Sequence, residues 1–284
     1  KSQIYNVENW KEKRNNKRTF ILFGIGGSYK PNENIEIYSN ISENYRSVTF
    51  ADISIINPAF SINPDISDER GNTIDLGIRG NINKLISYDL TLFNLNYKDR
   101  IGFAQKEFKD GSVKSERGNI GDAIIYGLES NIDFDVNNLI IKNDNISLNV
   151  FLNTAIIDSE YIRSEENGVI GKKVEFVPNY NIKTGIKLGI GNFIFNTQYS
   201  HVSTQFTDSS NAKEGNISGI IGEIPGYSLL DFSIAYRLKK IKIETGINNL
   251  TNTYYFTRRA TGYPGPGIIP SPPRNSYLTL QIRF

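Results

Sequence analysis

Apolar and polar residues alternate with a period of two along most of the chain. In Ala123–Val136, Ile124, Tyr126, Leu128, Ile132 and Phe134 share one face, opposed by Gly127, Glu129, Asn131, Asp133 and Asp135. Ile146, Leu148, Val150, Leu152 and Ile156 oppose Ser147, Asn149 and Asn153. Leu230, Phe232, Ile234, Tyr236 and Leu238 oppose Asp231, Ser233 and Arg237, and Leu278, Leu280 and Ile282 oppose Thr279, Gln281 and Arg283. Alternation of this kind predicts strands with one dry and one wet face. Eleven such segments are expected, near 19–29, 35–46, 72–82, 85–100, 120–136, 145–158, 175–189, 193–206, 226–238, 241–250 and 275–284. Many run to about 10–14 residues, longer than the 5–6 usual in globular sheets.

The links between these segments sort into two kinds. Lys30–Asn34, Asn83–Lys84, Gly191–Asn192 and Lys239–Lys240 are tight turns, and Asn137–Asp144 is somewhat longer. The alternate links, near 47–71, 101–119, 159–174, 207–225 and 251–274, are long and polar or rich in Gly and Pro. Short turns at one end and long loops at the other characterise outer-membrane barrels. The expected fold is all-β: a transmembrane, antiparallel, up-and-down β-barrel. A soluble β-sandwich or solenoid is the alternative, but it has no reason to sort its loops. In Leu85–Arg100 the apolar phase slips by one, from Tyr88, Leu90 and Leu92 to Phe93, Leu95 and Tyr97. Either a β-bulge or an inner face packed on something inside the barrel would do this.

Composition narrows the chemistry. The 284 residues include no Cys, which excludes disulfides, thiolate chemistry and Cys-based zinc sites. Thirty-two basic against 30 acidic residues give a net charge of +2, which does not favour nucleic acid as a partner. His201 is the sole histidine, too few for a nitrogen-rich metal site. The carboxylates Glu129, Asp133, Asp135, Asp231 and Glu244 are scattered along wet faces. With no nucleophile–base pair and no phosphate or calcium loop, neither an enzyme nor a resident cofactor is expected. The chain begins at Lys1 without Met. If its short turns face the periplasm, residues 1–18 are expected to be the end of an extracellular loop. About half of a barrel would then be missing upstream, because an odd strand count leaves two edges that lipid cannot satisfy.

Specific segments carry a family resemblance. Gly246–Phe256 (GINNLTNTYYF) resembles the penultimate-strand motif of TonB-dependent outer-membrane receptors. Asn63–Gly80 (NPDISDERGNTIDLGIRG) resembles their loop-to-strand motif, with an Asn-Pro pair followed by an acidic-x-Gly strand. Asn40–Phe50 and Phe256–Arg274 are similar to receptors of the ferric dicitrate type. The final strand ends in Phe284, as a barrel assembly signal does, although Thr279 and Ile282 depart from the Gly and aromatic common there. The resemblance covers about Thr19 to Phe284. It implies the C-terminal half of a 22-stranded barrel, with the N-terminal plug and the energy-coupling box outside this chain.

The resemblance also implies a function and its residues. Such a receptor sits in the outer membrane of a Gram-negative bacterium. It imports an anionic iron chelate, ferric citrate or a ferric siderophore, driven by a TonB–ExbB–ExbD complex through its N-terminal region. Lipid and lipopolysaccharide surround it, and iron enters only as chelated cargo. Arginine suits an anionic cargo because its planar fork takes carboxylates two oxygens at a time. Arg100 is the first candidate ligand, with Gln105 on the same upper strand; the alternative for Arg100 is pairing with Asp99 or Asp122, or contact with the plug. Arg258, Arg259 and Tyr255, with Tyr254 beside them, are candidates in the last external loop, with lipopolysaccharide contact or a structural pair as the alternative for the arginines. Arg46 and Arg117 complete the set. Other readings are a receptor for cobalamin or a glycan, and a passive porin.

Overall fold

In the computed structural model, residues 2–6, 9–16, 18–54, 60–109, 111, 113–143, 145–217, 219–260 and 267–283 are described. Eleven strands follow one another in chain order: β1 (Gly24–Asn32), β2 (Ile35–Arg46), β3 (Glu69–Ile82), β4 (Ile86–Glu107), β5 (Val113–Asp135), β6 (Ile146–Ser164), β7 (Tyr180–Ile190), β8 (Phe193–Val202), β9 (Tyr227–Leu238), β10 (Ile241–Asn248) and β11 (Asn275–Ile282). Each pairs antiparallel with its neighbours in sequence, which makes one up-and-down sheet from β1 to β11. Outside that path, Phe60–Ile62 adds a short parallel pairing to Ser115–Arg117 of β5.

The register carries the alternation across the whole wall. Ile41 pairs with Ile74, Leu76 with Leu92, Leu92 with Leu128, and Leu128 with Ile156. These large apolar side chains are solvent-accessible, the inverse of a soluble core and the arrangement a lipid-facing band requires. On the opposite face Asn131 pairs with Asn153, Asn153 with Lys183, and Gln198 with Asp231. No described helix is long and apolar enough to cross a membrane.

Short turns lie at one end of the sheet and long connections at the other. Asn83 and Lys84 both take positive φ (52° and 60°), as a tight primed turn between twisted strands demands. The link after β5 contains one helical turn of π type, Asn137–Ile141. Ser2–Asn6 pairs antiparallel with Asn9–Asn16 as a separate two-stranded sheet. The last long loop carries a small hairpin of its own, Phe256–Ala260 on Gly267–Pro270. Residues 261–266, with most of the Gly-Pro run, and Phe284 lie outside the described residues.

Three expectations need correction. The segment 101–119 is mostly not a loop: β4 and β5 run on to 22 and 23 residues, about twice a bilayer crossing, and stay paired as far as Glu107 and Val113. The strand expected from 175 starts at Tyr180, because Pro178 lacks an amide hydrogen for the ladder. The phase slip in β4 is not a bulge, since Ile86–Tyr97 pairs with Ala123–Phe134 without interruption. Instead, the connection 165–179 folds against the inner wall. Val169 and Val174 are buried there with Ala123, Ile125 and Tyr161, and Phe93, Leu95, Tyr97 and Ile157 pack around them. Each valine so covered contributes roughly 1.5–3 kcal/mol.

Candidate functional site

The irregularity in β4 comes higher, between Tyr97 and Ile101. Asp99 takes φ 53° there, and the bulge re-aims the next side chain. Arg100 thereby turns onto the inner wall and donates from Nη1 to Glu175 Oε2 at 2.5 Å and to Tyr161 Oη at 2.9 Å. Tyr161 donates in turn to Glu175 Oε2 at 2.7 Å. The bulge also frees the Ile101 amide, which donates to Glu69 Oε2 at 2.8 Å.

A second charged group stands beside the first. The connection after β2 forms a short helix, Phe50–Ile53, whose Asp52 is almost wholly buried. Its Oδ1 accepts from Arg46 Nη2 at 2.8 Å, Arg117 Nη2 at 2.7 Å and Arg117 Nε at 3.2 Å. Its Oδ2 accepts from the Thr49 amide and hydroxyl at 2.9 and 2.7 Å. Arg46 also reaches Glu69 at 3.5 Å. The Arg117 guanidinium lies 4.6 Å from the centre of the Phe103 ring, within cation–π range.

Arg46, Glu69, Arg100, Phe103, Arg117 and Glu175 line one cleft of about 370 Å³ at the loop end of the inner wall, with Asp52 behind Arg46 and Arg117. Burial pushes the Asp52 carboxyl up, but Arg117 and Thr49 outweigh it and hold its pKa at about 2. Burial opposes the charge on Arg100, yet Glu175 and Tyr161 raise its proton affinity above the ordinary arginine value. Burial and Glu175 likewise push the Tyr161 phenol well up. In this group Arg46, Arg100 and Arg117 stand against Asp52, Glu69 and Glu175, and the Tyr161 hydroxyl donates to Glu175.

Three of the seven sequence candidates, Arg46, Arg100 and Arg117, therefore converge, and four do not. Gln105 is exposed and faces Ser115 across the ladder near the β4–β5 tip. Arg258 is exposed. Arg259 donates to Gly219 O at 2.8 Å and Glu223 O at 2.9 Å, with Phe256 under its guanidinium; burial lowers its proton affinity, with Glu223 opposing. Tyr255 packs on Tyr227, ring centres 4.6 Å apart. Arg100 pairs with Glu175 rather than with Asp99 or Asp122, which instead face Arg163. The acidic partners were not singled out from sequence. The one signal for Glu175 was a carboxylate set inside an apolar run, Val174-Glu175-Phe176-Val177, ahead of Pro178.

Among the described residues, no group of three or more His, Cys, Asp or Glu is placed to hold a metal ion. The site is suited to binding anionic oxygens. One polar face, one face of accessible apolar side chains and long connections at one end fit a membrane β-barrel. The chain belongs to the family described as TonB dependent receptor-like, beta-barrel, whose model matches residues 3–250. Its fold is similar to that of the ferric citrate transporter FecA in its unliganded form, at TM-score 0.70 and 22% identity, over 92% of this chain and 37% of that one. The ferric yersiniabactin uptake receptor FyuA from Yersinia pestis is similar at TM-score 0.66 and 17% identity, over 92% and 37% of the two chains. The siderophore receptor PiuA from Acinetobacter baumannii is similar at TM-score 0.67 and 17% identity, over 93% and 36%. The chain thus spans well under half the length of each of these receptors.

Proposed function

We propose that this chain supplies the C-terminal half of the barrel of an outer-membrane receptor that takes up an anionic iron chelate, ferric citrate or a ferric siderophore. The observation that carries this reading is the convergence of Arg46, Arg100 and Arg117 on one cleft at the loop end of the inner wall. Three guanidinium forks from three separate strands offer carboxylate or catecholate oxygens several charge-assisted hydrogen bonds at once. Uptake is driven from the inner membrane by a TonB–ExbB–ExbD complex acting through an N-terminal plug and coupling segment. The polar hollow lined by Asp89, Thr91, Glu129, Asn131, Asn153 and Lys183 gives such a plug a hydrated wall to rest on. Lipid and lipopolysaccharide contact the outer face. The iron is cargo throughout.

Equilibrium binding to the full-length receptor tests this. Ferric dicitrate or a ferric siderophore is expected to bind at micromolar concentration or below. Failure of every anionic chelate in that range, with cobalamin or a glycan binding instead, overturns the cargo assignment.

A further inference from the structure

The cleft that would receive an anion is already occupied by one. Glu175 comes from the connection 165–179, and its carboxylate lies on the Arg100 guanidinium. We propose that Glu175 is an internal competitor for cargo: its carboxylate holds the face of Arg100 that a cargo carboxylate takes, and cargo binding displaces it. This inference rests on the reading of the cleft as the chelate site.

Four observations carry it. Glu175 is an incomplete occupant, because Oε2 takes both Arg100 and Tyr161 while the buried Oε1 has no hydrogen-bond partner. A guanidinium fork can take two carboxylate oxygens, so a free carboxylate with better geometry outbids it. Unlike Asp52 and Glu69, Glu175 accepts from side chains alone and takes no backbone amide. Asp52 is fixed by two arginines and by Thr49, and Glu69 accepts a backbone amide.

The backbone at the contact is strained as well: Phe176 holds φ 60°, a conformation costly for a bulky side chain. The segment is pinned on both sides. The Asn211 side chain accepts from the Lys173 amide and donates to its carbonyl, and the Asn179 side chain donates to Ile157 O. Between these points the Val174 amide donates to Ser159 Oγ at 3.2 Å and the Phe176 amide to Phe206 O at 2.9 Å, so the displacement releases these two bonds together with the Glu175 carboxylate.

The charge balance completes the case. With Glu175 in place, three arginines face three carboxylates. With Glu175 displaced, the cleft carries a net positive charge and accepts an anion. An arriving carboxylate restores the balance in the cleft that Glu175 provided. Gly102 makes the closed arrangement possible, since a Cβ there would stand 2.5 Å from Glu175 Oε1.

The test uses the full-length receptor in detergent, with ferric dicitrate as the probe. Glu175→Gln keeps the shape and removes the competing charge. The expected result is binding tightened about tenfold, because the binding-competent fraction rises. Arg100→Gln is expected to weaken binding whether or not Glu175 is also changed. Val174→Cys, fully buried in the closed form, provides a second readout, since its labelling by a polar maleimide should accelerate when ferric dicitrate is added. Unchanged or weaker binding in Glu175→Gln, or labelling of Val174→Cys that ignores bound chelate, overturns the competitor role and leaves the proposed cargo standing. If the unaltered receptor binds no anionic chelate, both fail, and the two failures are told apart by that first titration.

Discussion

Arg117 grips Asp52 with two donors, Nη2 at 2.7 Å and Nε at 3.2 Å, across 65 positions of sequence. This contact ties the connection after β2 to the inner wall of β5. Because the Asp52 carboxyl is held at about 2, below its ordinary 3.8, the contact contributes stability above pH 4. It is lost as the pH falls toward 2. A shift of this size corresponds to about 2 kcal/mol. Hydrogen exchange of residues 47–54 is expected to accelerate between pH 4 and 2, and Asp52→Asn should remove most of that dependence. Exchange that stays flat across this range in the unaltered protein would contradict the anchoring role.

The wall has its own steric requirement. Tyr38 lies over Gly77, where an added Cβ would come within 2.2 Å of the ring. From there its hydroxyl reaches Asp89 and Thr91 on β4, each at 2.6 Å. Gly77→Val is expected to push the ring aside and break these bonds, at a cost of about 1–3 kcal/mol. The transition on a heat-modifiability gel should fall accordingly. Tyr38→Ala combined with Gly77→Val should recover part of the loss. A Gly77→Val barrel with an unchanged transition would show that the ring contact contributes little.

Arg259 joins the connection before β9 to the last loop through two carbonyls, Gly219 O and Glu223 O. Arg259→Ala leaves both without this donor, at about 1–3 kcal/mol. Limited proteolysis is expected to speed up in both loops together. Its effect on chelate binding should be smaller than that of Arg100→Gln, and an Arg258→Ala change smaller still. A larger binding loss in Arg258→Ala than in Arg100→Gln would move the site to the last loop.

Much of the wall was legible in the sequence, for a physical reason. A strand between lipid and water must alternate along its whole length, so Ile124 through Phe134 announced their faces directly. The tight turns at 83–84, 191–192 and 239–240 were equally plain. The inward fold of residues 165–179 was legible only as a conflict, the apolar Phe93, Leu95 and Tyr97 on a face that should be wet. Its resolution depends on residues about 70 positions later, which local pattern does not connect. The site was half legible. Arginines can be named as anion ligands from chemistry alone, whereas their carboxylate partners depend on which loop returns to the wall. Arg46 and Arg117 share Asp52 because a four-residue helix brings it back, and no periodicity marks that return.

The central claim is that the cleft selects a negatively charged chelate through its inner-wall arginines. The most direct measurement is equilibrium binding by the full-length receptor of ferric chelates graded in charge, from ferric dicitrate to a neutral ferric hydroxamate. Affinity is expected to rise with negative charge, and substitution of Arg46, Arg100 and Arg117 by Gln should flatten that dependence. Equal affinity for neutral and anionic chelates, or a charge dependence that survives the triple substitution, would contradict it.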